Sequence, residues 1–334
     1  MGMAELVIDI GTKFVTISQK GKGIVLKEPC VALLEGARGK LRLVKCGRAA
    51  LENRPTEEQQ LVFPVKGGIV LHENAFVMMF KEFLGKIVPN RIVYRQPIKA
   101  IACVSCGLTN TEKNQIEQLL LKAGLREVII LESPIAVAAS VNCASTQFVV
   151  DIGASKTEVA IVSPNGILAG CSVNIGGDTF NQAIIDYITD TKRCRLPMNL
   201  AEKVKKQVGS LYENDLTCTS LELQEIATNR IYEYKISAKD IKNAIEGQVA
   251  KIVEVVYNLS FEIPEHLAQE VYLNGITLSG GCSLFPGLGE YISKAMEMGV
   301  NISTDPTNDI VKGGMRFLDD RSLLATMLNV ESMK

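Results

Sequence analysis

The chain has 334 residues, 47% of them hydrophobic and 22% charged, with a formal net charge of −1. That length accommodates two ordinary domains with substantial cores, and the composition is that of a globular chain, not a disordered one. The near-zero charge gives no general attraction to nucleic acid, and no apolar run approaches the roughly 18 residues that a membrane-spanning helix needs.

The N-terminus shows no signal-peptide pattern. The nine cysteines, an odd number, have no disulfide-like spacing, which suits a reducing, intracellular compartment.

Residues 1–32 read as three short strands, with turns at Gly11 and at Gly21-Lys22-Gly23. The first strand runs through Leu6-Val7-Ile8 into Asp9-Ile10-Gly11-Thr12-Lys13. A glycine in such a turn lets backbone N–H groups approach an anion closely, and the strand-end Asp can hold a hydrated Mg²⁺ that balances phosphate charge. Residues 33–66 are mixed and polar, with Pro55 and Pro64, and suggest a small insertion. Phe76, Val77, Phe80, Phe83 and Leu84 have helical spacing over residues 73–86.

Residues 98–106 form an apolar strand ending in Cys103-Val104-Ser105-Cys106. That pair has a redox or half-zinc spacing, but no second pair follows and the histidines, His72 and His266, lie far away. A buried strand end is the simpler reading. A helix follows from Thr109 to Ala123, with Thr109 or Asn110 as N-cap and Gly124 as its stop. Val128–Leu131 is a strand, and Pro134 opens a helix through Ala139.

The second half repeats this pattern. Phe148-Val149-Val150-Asp151-Ile152-Gly153-Ala154-Ser155-Lys156 nearly copies the first hairpin, and its return strand reaches Ile161 before a turn at Asn165-Gly166. A helix follows Gly176-Gly177-Asp178, with Asp178 as its expected N-cap. Residues 181–250 read as helix-rich around a Leu196-Pro197 loop and a strand-like 230–236, and 238–260 has long helical periodicity. Gly275–Ser279 is a strand running into Gly280-Gly281, and another helix begins within 286–298. Helices alternating with strands after strand-rich openings indicate an α/β architecture with mixed sheets. Duplicated hairpins imply duplicated domains facing each other across a cleft. Either hairpin alone is also ordinary turn chemistry, as is the Gly-Gly turn; the three in this order point to a bound nucleotide.

On these segments the chain resembles the actin, DnaK-type chaperone and sugar-kinase superfamily, and within it the MreB/Mbl-like bacterial actins. Carrying the resemblance are Asp9 to Thr12, Gly21 to Pro29, Ala123 to Val128, Asp151 to Gly153, Asn174 to Asp178, Ala201-Glu202 through Gly209-Ser210, and Leu278 to Gly281. It implies an actin-like, ribonuclease H-like duplicated fold. Domain I would span 1–141 with an insertion at 33–66. Domain II would span 142–334 with an insertion at 181–250, and the last helix would return to domain I. It also implies ATP or ADP with Mg²⁺ as ligands and assembly of the chain with itself into protofilaments. The chain would lie in the cytoplasm at the inner face of the cell membrane, among cell-wall elongation or other membrane-linked proteins.

Residue by residue, the resemblance puts Asp9 and Asp151 at the Mg²⁺-facing acids. Gly11, Thr12 and Gly153 match the phosphate hairpins; Lys13, and Ala154-Ser155-Lys156 where the family has two Gly and a Thr, depart from its pattern there, with Lys13 or Lys156 a candidate phosphate contact. Glu202 and Lys205, one helical turn apart, fall where the family contacts ribose and base, and Gly280 and Gly281 beside the base. Glu202 and Lys205 read equally well as a solvated helix face, whereas Lys13 and Lys156 read more simply as solvated turn lysines.

The chain departs from the family pattern where hydrolysis would occur. Ser133 stands where these proteins carry the Glu that positions water, with Glu132 beside it. Ser is a poorer proton acceptor, so weak ATPase activity is expected. The loop 87–95, with Ile92, Val93 and Tyr94 between Arg91 and Arg95, is the candidate membrane contact, or else a loop packed on its own domain. The rivals to a polymerising cytoskeletal protein are a non-polymerising, weakly or non-hydrolysing actin-like adaptor and a small-molecule kinase on the same fold.

Overall fold

The computed structural model describes residues 3–36, 41–88, 97–142 and 144–327. Ile92, Val93 and Tyr94 lie outside the described residues. The chain divides into two compact units, Met1–Ser145 with Val162–Gly170 and Asn308–Lys334, and Thr146–Ile161 with Cys171–Thr307.

In the first unit a five-stranded sheet runs in the order Glu127–Glu132, Ile98–Val104, Ala4–Ile10, Phe14–Gln19, Gly23–Pro29. Ala4–Ile10 pairs antiparallel with Phe14–Gln19 and parallel with Ile98–Val104, which pairs parallel with Glu127–Glu132. Asp9 therefore stands opposite Cys103, and Cys103 opposite Leu131, at one carboxyl edge. Alternation sorts the central strand. Leu6 and Ile8 join the core under the helices Glu73–Ile87 and Asn110–Ala123, whereas Val7 faces the opposite side. There the helix Asp309–Asp319 crosses so closely that a Cβ on Gly314 would lie 2.4 Å from Val7 Cγ1, and one on Gly313 only 1.6 Å from the Ala136 carbonyl oxygen. Two adjacent glycines are what let this helix seat on the sheet and on Ser133–Val141.

Thr109 caps its helix as expected: Glu112 N–H donates to Thr109 Oγ1, and Thr109 N–H donates to the Glu112 carboxylate. Gly124 closes that helix at φ 109°. Within 33–66, strands Ala32–Glu35, Arg42–Cys46 and Gln59–Val62 form a three-stranded sheet. Cys103 and Cys106 are buried at the end of Ile98–Val104.

A second five-stranded sheet runs in the order Gly166–Val173, Thr157–Ser163, Gln147–Ile152, Ile276–Ser279, Val300–Ile302. Gln147–Ile152 is buried along its whole length and pairs parallel with Ile276–Ser279, Asp151 standing opposite Ser279. Two expectations need correction. The helix Gly177–Lys192 is capped at Gly176, not Asp178. The Gly177 and Asp178 amides donate to the carbonyls of Gly153 and Ala154 at 3.0 and 2.7 Å, which draws the helix start towards the hairpin. Within 181–250 the strand Cys218–Glu225 also went unread. It pairs antiparallel with Ile231–Ser237; Thr219, Leu221 and Leu223 turn inward between exposed Ser220 and Glu222, an alternation too short and too polar to stand out in sequence. Among the described residues, no helix is long and apolar enough to cross a membrane.

Candidate functional site

Each unit presents the same local device. In the first, Gly11 N–H closes the turn onto the Phe14 carbonyl oxygen at 3.1 Å; in the second, Gly153 N–H closes onto Lys156 O at 2.9 Å. A side chain is excluded at Gly11 and tightly confined at Gly153. A Cβ on Gly11 would lie 2.7 Å from Phe14 O, and one on Gly153 would lie 3.3 Å from Lys156 O. In both, an Asp two residues earlier ends a strand at the carboxyl edge, where ligands of α/β sheets gather.

In the first unit, Asp9 is close enough to matter electrostatically to two buried thiols. Burial pushes Cys103 well up and Cys30 up to about 12, and the Asp9 carboxylate adds to both. Cys30 N–H donates to Lys13 O at 3.0 Å, fixing the turn from outside. Ser133 opens its helix at the same sheet edge, buried, with Oγ donating to Val104 O at 3.0 Å. Its neighbour Glu132 ion-pairs with Lys113 on the capped helix, so that carboxylate is held beside Asn110–Ala123. Asp9, Gly11 and Ser133 thus lie along one edge of the sheet, while Glu132 pairs with Lys113.

The second unit gathers more. Asp151, 8% exposed, adjoins Gly280. Gly280 has φ +83°, and a Cβ there would come within 2.5 Å of Asp151 Oδ1 and 2.4 Å of Ile152 O. Gly280 N–H and Ser279 Oγ both donate to Pro306 O at 3.2 Å, a support that no sequence motif advertised. Lys205 is not on a solvated face: it is 9% exposed, and its Nζ donates to Gly177 O at 2.7 Å. Glu202 instead pairs with Lys206 at 2.6 Å. Nor is Lys156 a solvated turn lysine, since its side chain is 13% exposed with Nζ 4.0 Å from the buried Glu158. Glu158 and Cys282, whose Sγ donates to Gly153 O at 3.4 Å, were not singled out by sequence reasoning.

These cradles fit a nucleotide. Each glycine turn suits close approach of backbone to a phosphate, and Gly280–Gly281 supplies a backbone face with open space at Gly281. Among the described residues no group of three or more His, Cys, Asp or Glu is gathered. Asp9 in the first unit and Asp151 in the second are the acids that stand at the strand ends beside these turns.

A family model described as MreB/Mbl protein matches residues 3–326. The cell shape-determining protein MreB of Pasteurella multocida is 31% identical over 327 residues, covering 94% of this chain and 93% of its own length. The crystal structure of MreB5 of Spiroplasma citri bound to ADP superposes with a TM-score of 0.87 at 24% identity, over 98% of this chain and 99% of its own. The MamK double helical filament gives 0.80 at 16% identity, over 96% and 99%. The fold is thus actin-like. With the duplicated Asp-Ile-Gly turns and an almost end-to-end family match, the chain belongs to the MreB/Mbl family of bacterial actin homologues.

Proposed function

We propose that this protein is a nucleotide-binding, self-assembling cytoskeletal protein that works at the inner face of the cell membrane and organises cell-shape or cell-wall machinery. The observation that carries the reading is the repeated glycine turn, one in each unit, with the same hydrogen-bond closure and a strand-end Asp. Proteins of this fold solved with ADP and as a double helical filament support it.

In this reading Gly11, Thr12, Lys13, Gly153, Ala154, Ser155 and Lys156 hold the phosphates of ATP or ADP. Asp9 and Asp151 face the Mg²⁺, and Glu202, Lys205, Gly280 and Gly281 serve ribose and base. The bound Mg²⁺–nucleotide supplies the phosphoryl group and the charge balance for its transfer. At the water-positioning place the chain offers the Ser133 hydroxyl, which already donates to Val104 O. Hydroxyl oxygen is a weak proton acceptor, so turnover is slow while binding persists. Nucleotide state then sets which conformation a filament neighbour recognises.

Calorimetry with ATP, ADP and GTP in Mg²⁺ should show saturable uptake, and light scattering with electron microscopy should show nucleotide-dependent filaments. No heat at millimolar nucleotide removes the reading. Uptake without filaments leaves the adaptor in its place. Liposome pelleting, with Ile92 and Val93 replaced by Ser, tests the membrane contact.

A further inference from the structure

We propose that Cys282 is a positioning residue that fixes the second phosphate turn against the Gly280–Gly281 turn; the proposal rests on the nucleotide reading above. Its Sγ donates to the carbonyl oxygen of Gly153 at 3.4 Å. The same oxygen accepts the Gly177 N–H at 3.0 Å. A Cβ on Gly177 would lie 3.2 Å from the sulfur, so thiol, helix start and hairpin are in packing contact. One carbonyl at the phosphate turn is therefore gripped from two directions.

The base from which Cys282 acts is rigid. It lies in the short 3₁₀ turn Gly281–Leu284. Ser283 N–H and Oγ both donate to Gly280 O, at 3.2 and 2.6 Å. Gly280 is itself held by Pro306 O and by its left-handed backbone. The thiol thus transmits the position of a braced turn to Gly153, whose neighbours would cradle phosphate. Lys205 holds the adjoining helix start separately, its Nζ donating to Gly177 O at 2.7 Å. Because Cys282 reaches the turn through a carbonyl, its effect is on geometry, not on chemistry.

The test compares Cys282→Ala, which deletes the donor, with Cys282→Ser, which keeps one. Affinity is read by titrating a fluorescent ATP analogue with Mg²⁺, and turn mobility by amide hydrogen exchange of peptides covering 152–157 and 175–180 in nucleotide-free protein. A single weak neutral hydrogen bond predicts that the Ala variant binds about three- to tenfold more weakly and that its Gly177 region exchanges faster, with the Ser variant within about twofold of the parent protein. Parent-like affinity or parent-like exchange in the Ala variant overturns the proposal, as does a Ser variant as weak as the Ala variant. Failure of the parent protein to bind nucleotide is a separate result. It appears before any substitution and takes down the nucleotide reading together with this one.

Discussion

Lys205 Nζ donates to the carbonyl oxygen of Gly177 across 2.7 Å, joining the helix Met198–Val208 to the first turn of Gly177–Lys192. The lysine is 9% exposed, and an ammonium taken that far from water needs its partners. Glu202, on the same stretch of helix, keeps to its more exposed neighbour Lys206, an arrangement that contributes little to stability.

Replacing Lys205 by Met keeps the apolar stem and removes the donor. The Gly177 carbonyl then loses its ammonium partner, at a cost of about 1–3 kcal/mol. Scanning calorimetry should show the nucleotide-free melting temperature falling by several degrees. An unchanged melting temperature would mean that this bond does not stabilise the fold.

Why Lys205 escaped the sequence is instructive. Helical spacing alone places Glu202 and Lys205 one turn apart, but whether a lysine stem turns into the core depends on neighbours distant in sequence, here Gly177. The strands and turns of Asp9 and Asp151 were legible because apolar runs ending in Asp-Ile-Gly specify local geometry. Thr109 was legible because its capping box is local too. Pro306 and Cys282 were not, since each acts through tertiary contact with a turn that its own segment does not encode, and Glu158, beside the turn in sequence, gives no local sign that its carboxylate is buried. The Cys218–Glu225 strand was hidden by its polar exposed face.

Ser133→Glu tests whether the side chain at this position limits turnover. The position opens a helix, where an acidic side chain is electrostatically welcome. The variant should release phosphate from ATP at least about tenfold faster than the parent protein, as expected when general-base assistance is restored. Equal and brisk release by both proteins would show that Ser133 does not limit hydrolysis.

Lys156 and Glu158 form a partly enclosed ion pair, with side chains 13% and 5% exposed. Removing one partner leaves the other charge in a low-dielectric setting, which costs more than removing both. Lys156→Ala should therefore melt lower than the double variant Lys156→Ala, Glu158→Gln. A double-mutant cycle with no coupling would refute the pair. Should Lys156 touch phosphate as well, both variants will also bind ATP more weakly than the parent protein.

Thiol chemistry provides an independent check of the first unit's core. Burial pushes the Cys30 and Cys46 thiols up to about 12, and Cys103 well above its ordinary value. Only the thiolate reacts, so iodoacetamide at about pH 8 should leave these three unlabelled while modifying the exposed Cys218. Peptide mapping by mass spectrometry reads the pattern. Rapid labelling of Cys103 in native protein would contradict its place beside Asp9.

Gly280 and Gly281 make a contrasting pair. At Gly280 a methyl group meets Ile152 O at 2.4 Å and Asp151 Oδ1 at 2.5 Å on a backbone with φ +83°, whereas at Gly281 nothing lies within 4 Å. Gly280→Ala should destabilise the fold by about 1–3 kcal/mol through backbone strain and displaced Asp151. Gly281→Ala should leave the melting temperature of the nucleotide-free protein unchanged. If the open space at Gly281 is where a base lies, that second variant will bind nucleotide at least about threefold more weakly, a methyl group replacing a flat contact. Calorimetric titration beside the melting curve separates the two effects. A Gly281→Ala protein with full affinity would show that the base does not approach this turn.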